Sequence, residues 1–169
     1  MNDILKEAES EKNILLENMN TVIISTVNSE NIPNASYAPA AVDSDNNFFI
    51  YISNLSKHSH NLRQSSQASI MIIEDEIDSE NIFGRKRLTL DVSLSLIERE
   101  SDNWSANIKL LEDKFGETLT YLKKLTDFNL FKLSPINGLL VYGFGKAFKF
   151  SDSKLTPPMH INEVGHSKK

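Results

Sequence analysis

The side chains able to do chemistry in this 169-residue sequence fall into three groups: the basic triplet Arg85-Lys86-Arg87, four histidines, and Asp127. Arg85 and Arg87 stand two apart at the head of a run in which Leu88, Leu90, Val92, Leu94 and Leu96 alternate with Thr89, Asp91, Ser93 and Ser95. Period-two alternation of that kind is a strand with one face in a core. It puts both guanidinium groups on the polar side, where forked donors can hold a carboxylate or a phosphate; the plainer reading is a solvated strand end. His58 and His60 lie two apart in a helical stretch and so point to nearly opposite sides. His58 shares its side with Leu62, which reads as a partly buried histidine at a helix–sheet contact. As a zinc pair the two would need further ligands from the C-terminal histidines, His160 and His166. His166 is either solvated beside a basic terminus or, as a neutral imidazole, an axial ligand to a metal or haem iron. Asp127 opens a strand, where it can end a turn or accept a proton from a metal-ligating histidine and raise its basicity. Phosphate-binding glycine loops, G-x-S-x-G and H-E-x-x-H are absent.

Composition narrows the classes. A chain of this length holds one domain with a proper core, and 40% hydrophobic with 24% charged residues is ordinary for a soluble globular protein. The net charge of −5 excludes a broad basic face, so no nucleic-acid partner is expected. An anion would have to be met by a local basic cluster, and Arg85-Lys86-Arg87 is the one outside the tail. The absence of cysteine rules out disulfides, thiolate metal sites and cysteine nucleophiles in this chain. The acidic and basic residues of Met1–Met19 break any signal-peptide run, and no stretch approaches the ~18 apolar residues of a membrane span. A cytoplasmic protein without membrane insertion is expected.

The positioning elements follow from periodicity. Asn2–Met19 reads as an amphipathic helix. Strands are expected at Val22–Val27, Ala35–Val42, Phe48–Ile52 and Ala68–Glu74, with a short helix over Leu55–Gln64 capped by Ser56. An acidic loop, Glu74–Glu80, precedes the basic strand. Trp104, Ile108, Leu111, Phe115, Leu119 and Leu122 mark a second long helix, with Gly116 as a bend. Phe128–Leu133 and Leu139–Phe150 read as closing strands around a Ser134–Gly138 turn. In the latter Tyr142, Phe144, Phe148 and Phe150 share a face opposite Gly143, Gly145 and Ala147, and such small residues admit a flat ligand or another backbone. The polar stretch Ser151–Lys169 reads as a C-terminal tail after a 1–150 domain. About seven antiparallel strands with flanking helices predict an α+β barrel, whose leftover surface is commonly buried in a homodimer.

At Ile82-Phe83-Gly84-Arg85-Lys86-Arg87-Leu88 the sequence resembles the HugZ-type haem-utilisation proteins of the pyridoxamine 5′-phosphate oxidase-like split-barrel superfamily. The resemblance extends to Ser56–Leu62, which is similar to the family's H-T-x-N-L helix, and to Ile73–Glu76. It also covers Asp127–Pro135 and Gly143-Phe144-Gly145-Lys146-Ala147, in the expected order. It implies an antiparallel split β-barrel homodimer that binds haem near the subunit interface and opens the porphyrin with O2 and electrons.

The resemblance also implies roles. His166 would be the iron ligand, with His160 as competitor, and the tail Asn162–His166 is poorer in glycine than the family pattern. Asp127 would bond that histidine, across the dimer. Arg87, with Arg85 and Lys86 beside it, would line the haem pocket, and His58 would be the helix histidine near the site. The electron donor is named by no motif. Two alternatives stand: an FMN-binding oxidoreductase of the same superfamily, its phosphate on Arg85 and Arg87, and a non-catalytic haem carrier.

Overall fold

A computed structural model describes residues 3–161. Alternation decides the strands. In β1 (Thr21–Val27) every second residue is buried, and in β5 (Arg87–Ile97) Leu88, Leu90 and Val92 are buried while Asp91 and Ser93 are exposed. With β2 (Pro33–Val42), β3 (Phe48–Ser53), β4 (Gln67–Ile73) and β6 (Phe128–Val141) they form one antiparallel sheet ordered β3-β2-β1-β4-β5-β6. β3 also pairs with β6, Phe48 opposite Leu133 through Ser53 opposite Phe128, which closes six strands into a barrel. The expected antiparallel barrel with flanking helices is what the chain forms. β7 (Ala147–Phe150) and β8 (Met159–His160) extend the sheet beyond β6.

Two cores hold it. Ile24, Ile50, Ile70, Leu88, Leu90, Phe131 and Leu133 fill the barrel. Phe49, Tyr51 and Leu130 face the other way, against Ile108, Leu111 and Leu119 of α3 (Asp102–Phe115) and α4 (Glu117–Leu122). That is why β3 is apolar on both sides. α1 (Asp3–Asn18) lays Ala8, Leu15 and Leu16 onto the barrel. α2 (Lys57–Gln64) is capped by Ser56, whose hydroxyl accepts from the Ser59 N–H at 3.3 Å, as its sequence predicts.

Three expectations are corrected. Ser134–Gly138 is not a turn but the middle of β6. Pro135 opposes Val92 and Asn137 opposes Asp91, so Ile136 is an extra residue, a bulge that absorbs the N–H proline lacks. Leu139–Phe150 is not one strand. β6 ends at Val141, and a reversal through Gly143 (φ +143°) and Gly145 (φ +71°) leads to β7, so Phe144 stands exposed at its tip while Tyr142, Phe148 and Phe150 are buried. The glycines serve that reversal and let the Gly84 backbone approach, where an added Cβ would meet Gly143 Cα at 3.4 Å. Gly116 (φ +60°) separates α3 from α4 instead of bending one helix.

The segment after Phe150 is tied to the barrel as far as it is described. Leu155 is fully buried in the barrel core, and the nearly buried Lys12 of α1 donates from Nζ to its carbonyl at 3.1 Å. Asn46 Nδ2 donates to the Lys154 carbonyl at 3.1 Å, and the Ile161 N–H to that of Ala147 at 2.8 Å.

Candidate functional site

The basic triplet lies where β5 begins, and its three cations are not equivalent. Arg85 donates from Nε to the Glu74 carbonyl at 2.7 Å and from Nη1 to Glu76 Oε1 at 3.1 Å. Lys86 donates from Nζ to Glu11 Oε2 at 2.9 Å, and that bond, opposed by partial burial, raises its pKa above the ordinary lysine value. Its backbone N–H donates to Glu74 Oε1 at 2.7 Å. Arg87 reaches only the Arg85 carbonyl, from Nη1 at 2.9 Å, and pairs with no carboxylate among the described residues. A half-buried guanidinium with unspent N–H donors is the strongest anion receptor of the three. The loops at this end of the barrel leave apolar side chains uncovered, Phe83 at 84% and Phe144 at 69% exposure.

Asp127 and His58 lie at the opposite end. Asp127 precedes β6, its carbonyl accepting from the Asn54 N–H at 2.7 Å and its Oδ2 from the Ser53 hydroxyl at 2.9 Å. α2 begins three residues beyond Asn54 and carries His58. The His58 Nε2 is shielded from solvent with no hydrogen-bond partner, and burial pushes its pKa below the ordinary 6.5, so the ring is neutral at pH 7. Nearby, Arg63 of α2 donates from Nη2 to Asn54 Oδ1 at 2.6 Å and to Asn129 Oδ1 at 2.7 Å.

Strand pairing measures the separation. Arg87 opposes Val141 and Ile97 opposes Leu130, so the 11 residues of β5 run between the two ends. At ~3.3 Å per residue that is a contour of roughly 35 Å. The expected site residues therefore form two half-sites in one protomer, Arg85-Lys86-Arg87 at one end and Asp127 with His58 at the other. His160 belongs to the first end. Its ring stacks on Phe148 with centroids 4.6 Å apart, and its Nε2 lies 2.9 Å from the Gly145 carbonyl. His166 lies outside the described residues.

The partners that separate Arg87 from its neighbours were not read from the sequence as such. The signal was present: the acid run Glu74–Glu80 directly before a basic strand is the pattern of local neutralisation. Ser53, Arg63 and the polar triad it forms with Asn54 and Asn129 carry no motif, because fold alone brings residues 54 and 129 together.

A closed six-stranded antiparallel barrel with helices on its flank and a basic strand entrance is a split-barrel protein. The chain belongs to the pyridoxamine 5′-phosphate oxidase-like family, in its HugZ-type branch: the family model for pyridoxamine 5′-phosphate oxidase matches residues 9–142. It is similar to Heme oxygenase HutZ of Vibrio cholerae, 42% identical over 148 residues that cover 88% of this chain and 83% of that protein. The solved structure of HutZ, there described as a heme storage protein from Vibrio cholerae, aligns with a TM-score of 0.76 at 36% identity, covering 80% of this chain and 96% of that one. Campylobacter jejuni ChuZ aligns with a TM-score of 0.85 at 29% identity, covering 97% of this chain and 66% of that one.

Proposed function

We propose that this protein is a cytoplasmic haem-degrading oxygenase acting as a homodimer, with each haem held between Arg87 of one subunit and the Asp127 end of the other. The observation that carries this reading is the division of the site residues between opposite ends of one barrel. A two-fold dimer sets one subunit's first end against its partner's second, and generates two complete sites. The outward face between the ends supports such an interface. Tyr37, Ile23, Met71, Thr89 and Leu139 are successive cross-strand partners in an outward-facing and largely apolar row. No helix among the described residues is long and apolar enough to cross a membrane.

The donor set fits haem. A propionate is a singly charged carboxylate, matched by the unpaired Arg87. An FMN phosphate is a poorer match, because Arg85 and Lys86 are already neutralised by Glu76 and Glu11. His166 stands five residues beyond Ile161, a reach of about 17 Å. Ile161 is three strand spacings from Arg87, about 14 Å. That supports His166 as the iron ligand on the Arg87 side. His160 is the weaker candidate, its Nε2 being engaged by Gly145.

Bound haem supplies iron that activates O2 against its own porphyrin. The protein's part is to orient and tune. Arg87 anchors a carboxylate and the Ser53 hydroxyl aligns Asp127. Asp127 of the partner subunit accepts the His166 N–H, which strengthens that imidazole as a donor. His58, a neutral ring on α2 at the Asp127 end, is the helix histidine proposed to stand near the haem.

Mixing two defective variants tests the shared site. Asp127→Ala and Arg87→Ala subunits, co-expressed, form heterodimers in which one of the two sites keeps both side chains. With half of all dimers mixed, about a quarter of wild-type Soret bleaching under air and ascorbate should return. No recovery above the parents would show that the two residues do not act across an interface. A Soret band that forms but never bleaches in the wild type would leave a carrier, not an enzyme.

A further inference from the structure

The chain has four arginines, and each guanidinium can be followed to what it holds. Arg85 is paired with Glu76, and Arg99 gives its donors to the Lys123 and Leu125 carbonyls and to the Tyr51 hydroxyl. Arg87 belongs to the site already described. The fourth, Arg63, stands exposed in the last turn of α2 and pairs with no carboxylate among the described residues.

Arg63 is nevertheless held in place. Its Nη2 donates to Asn54 Oδ1 at 2.6 Å and to Asn129 Oδ1 at 2.7 Å, and Asn129 Nδ2 donates in turn to Asn54 Oδ1. Both acceptors are neutral amides, so the cation is oriented while its charge is left whole. Its Nε and Nη1 donate to nothing among the described residues. A guanidinium fixed through one nitrogen, with donors unspent on the other two, suits a carboxylate and has little side-chain freedom left to lose on binding. Its place in the barrel is a separate observation. The N–H of the same Asn54 donates to the Asp127 carbonyl at 2.7 Å, so Arg63 and Asp127 share a neighbour. The Asp127 carboxylate accepts from Ser53 and forms no ion pair with Arg63. The Asp127 end thus carries an uncancelled cation, as the Arg87 end does.

We propose that Arg63 of one subunit and Arg87 of its partner grip the two propionates of one haem. The propionates leave adjacent pyrroles along a single porphyrin edge, and Arg87 alone neutralises one of them. Arg63 and Arg87 lie at opposite ends of one barrel, so a haem common to both requires the interface proposed above, and the inference rests on that reading. The consequence is specificity: two fixed guanidinium groups select a porphyrin with two free acids over its esters.

The test titrates the full-length, haem-free protein with ferric haem and with its dimethyl ester, following the Soret band. The wild type should prefer the diacid about a hundredfold, roughly tenfold for each charge-assisted bond. Arg63→Gln should lose about tenfold for the diacid and less than about twofold for the ester. Equal losses for both ligands would make Arg63 a mere pin between α2 and β6 and overturn the proposal, as would a variant that binds both like the wild type. Arg87→Ala separates the two readings. A diacid loss there, with none in Arg63→Gln, leaves the haem site standing and removes Arg63 from it, whereas a wild type without diacid preference sinks both. Co-expressed Arg63→Gln and Arg87→Ala subunits address the pairing across the interface. With half of all dimers mixed, about a quarter of the sites keep both arginines and should bind the diacid as the wild type does. Absence of that tight fraction overturns the pairing.

Discussion

Three adjacent cations can look alike in a sequence and differ in what they have left to give. Arg85 is committed to Glu76 and Lys86 to Glu11, whereas Arg87 keeps its charge uncompensated. Arg87→Ala should therefore weaken haem binding roughly ten- to a hundredfold, the loss of one charge-assisted bond of about 1.5–3 kcal/mol. Arg85→Ala should change it less than about threefold, since its exposed ion pair has little net worth. A Soret titration of both variants checks the contrast. His58 makes a pH prediction. Its folded pKa lies below the unfolded value of about 6.5, so the unfolded chain binds the proton first as pH falls. The stability contributed by its neutral ring is present above pH 6.5 and is lost progressively below it. The urea midpoint should drop between pH 7.5 and 5.5 in the wild type and drop less in His58→Gln. At this scale the sequence showed which residues carry charge and that His58 is partly buried. The partner of Lys86 was hidden, because Glu11 becomes its neighbour only after α1 docks, whereas Arg85 pairs within the acid run just before it.

Elements were legible wherever one period ran unbroken. The β5 alternation and the α2 cap read correctly because burial and local hydrogen bonding act over a few residues. Pro135 and the Gly143–Gly145 pair misled for opposite reasons. A bulge lets a strand continue through a proline, and alternating aromatics and glycines can belong to a reversal. The polarity of Ser151–Ile161 concealed one anchor, Leu155, whose side chain is fully buried. Leu155→Ala should cost about 2–5 kcal/mol, read as a lowered urea midpoint. Release of the same segment should make the bond after Lys154 susceptible to trypsin, whereas the wild type resists. Equal cleavage of both proteins would show that Leu155 does not hold this stretch.

For the whole molecule, the outward row from Tyr37 to Leu139 is where a partner subunit is proposed to sit. Ile23 lies inside that row, between Tyr37 and Met71. Ile23→Asp should convert a particle of about twice 19.1 kDa into a monomer by light scattering, and abolish Soret bleaching while leaving the fold's circular dichroism intact. A variant of unchanged mass would move the interface elsewhere. The barrel could be foreseen from its strands, but not its seam, since β3 and β6 carry no local sign that they are neighbours.

That seam has a consequence during synthesis. Phe48–Ser53 must wait for Phe128–Leu133, about eighty residues later in the chain, before its second edge is covered. A nascent chain therefore emerges from the ribosome as an open, sticky half-shell and becomes a sealed cylinder only after Phe128–Leu133 has emerged. Products of premature termination before Phe128 should collect in inclusion bodies, not in the supernatant.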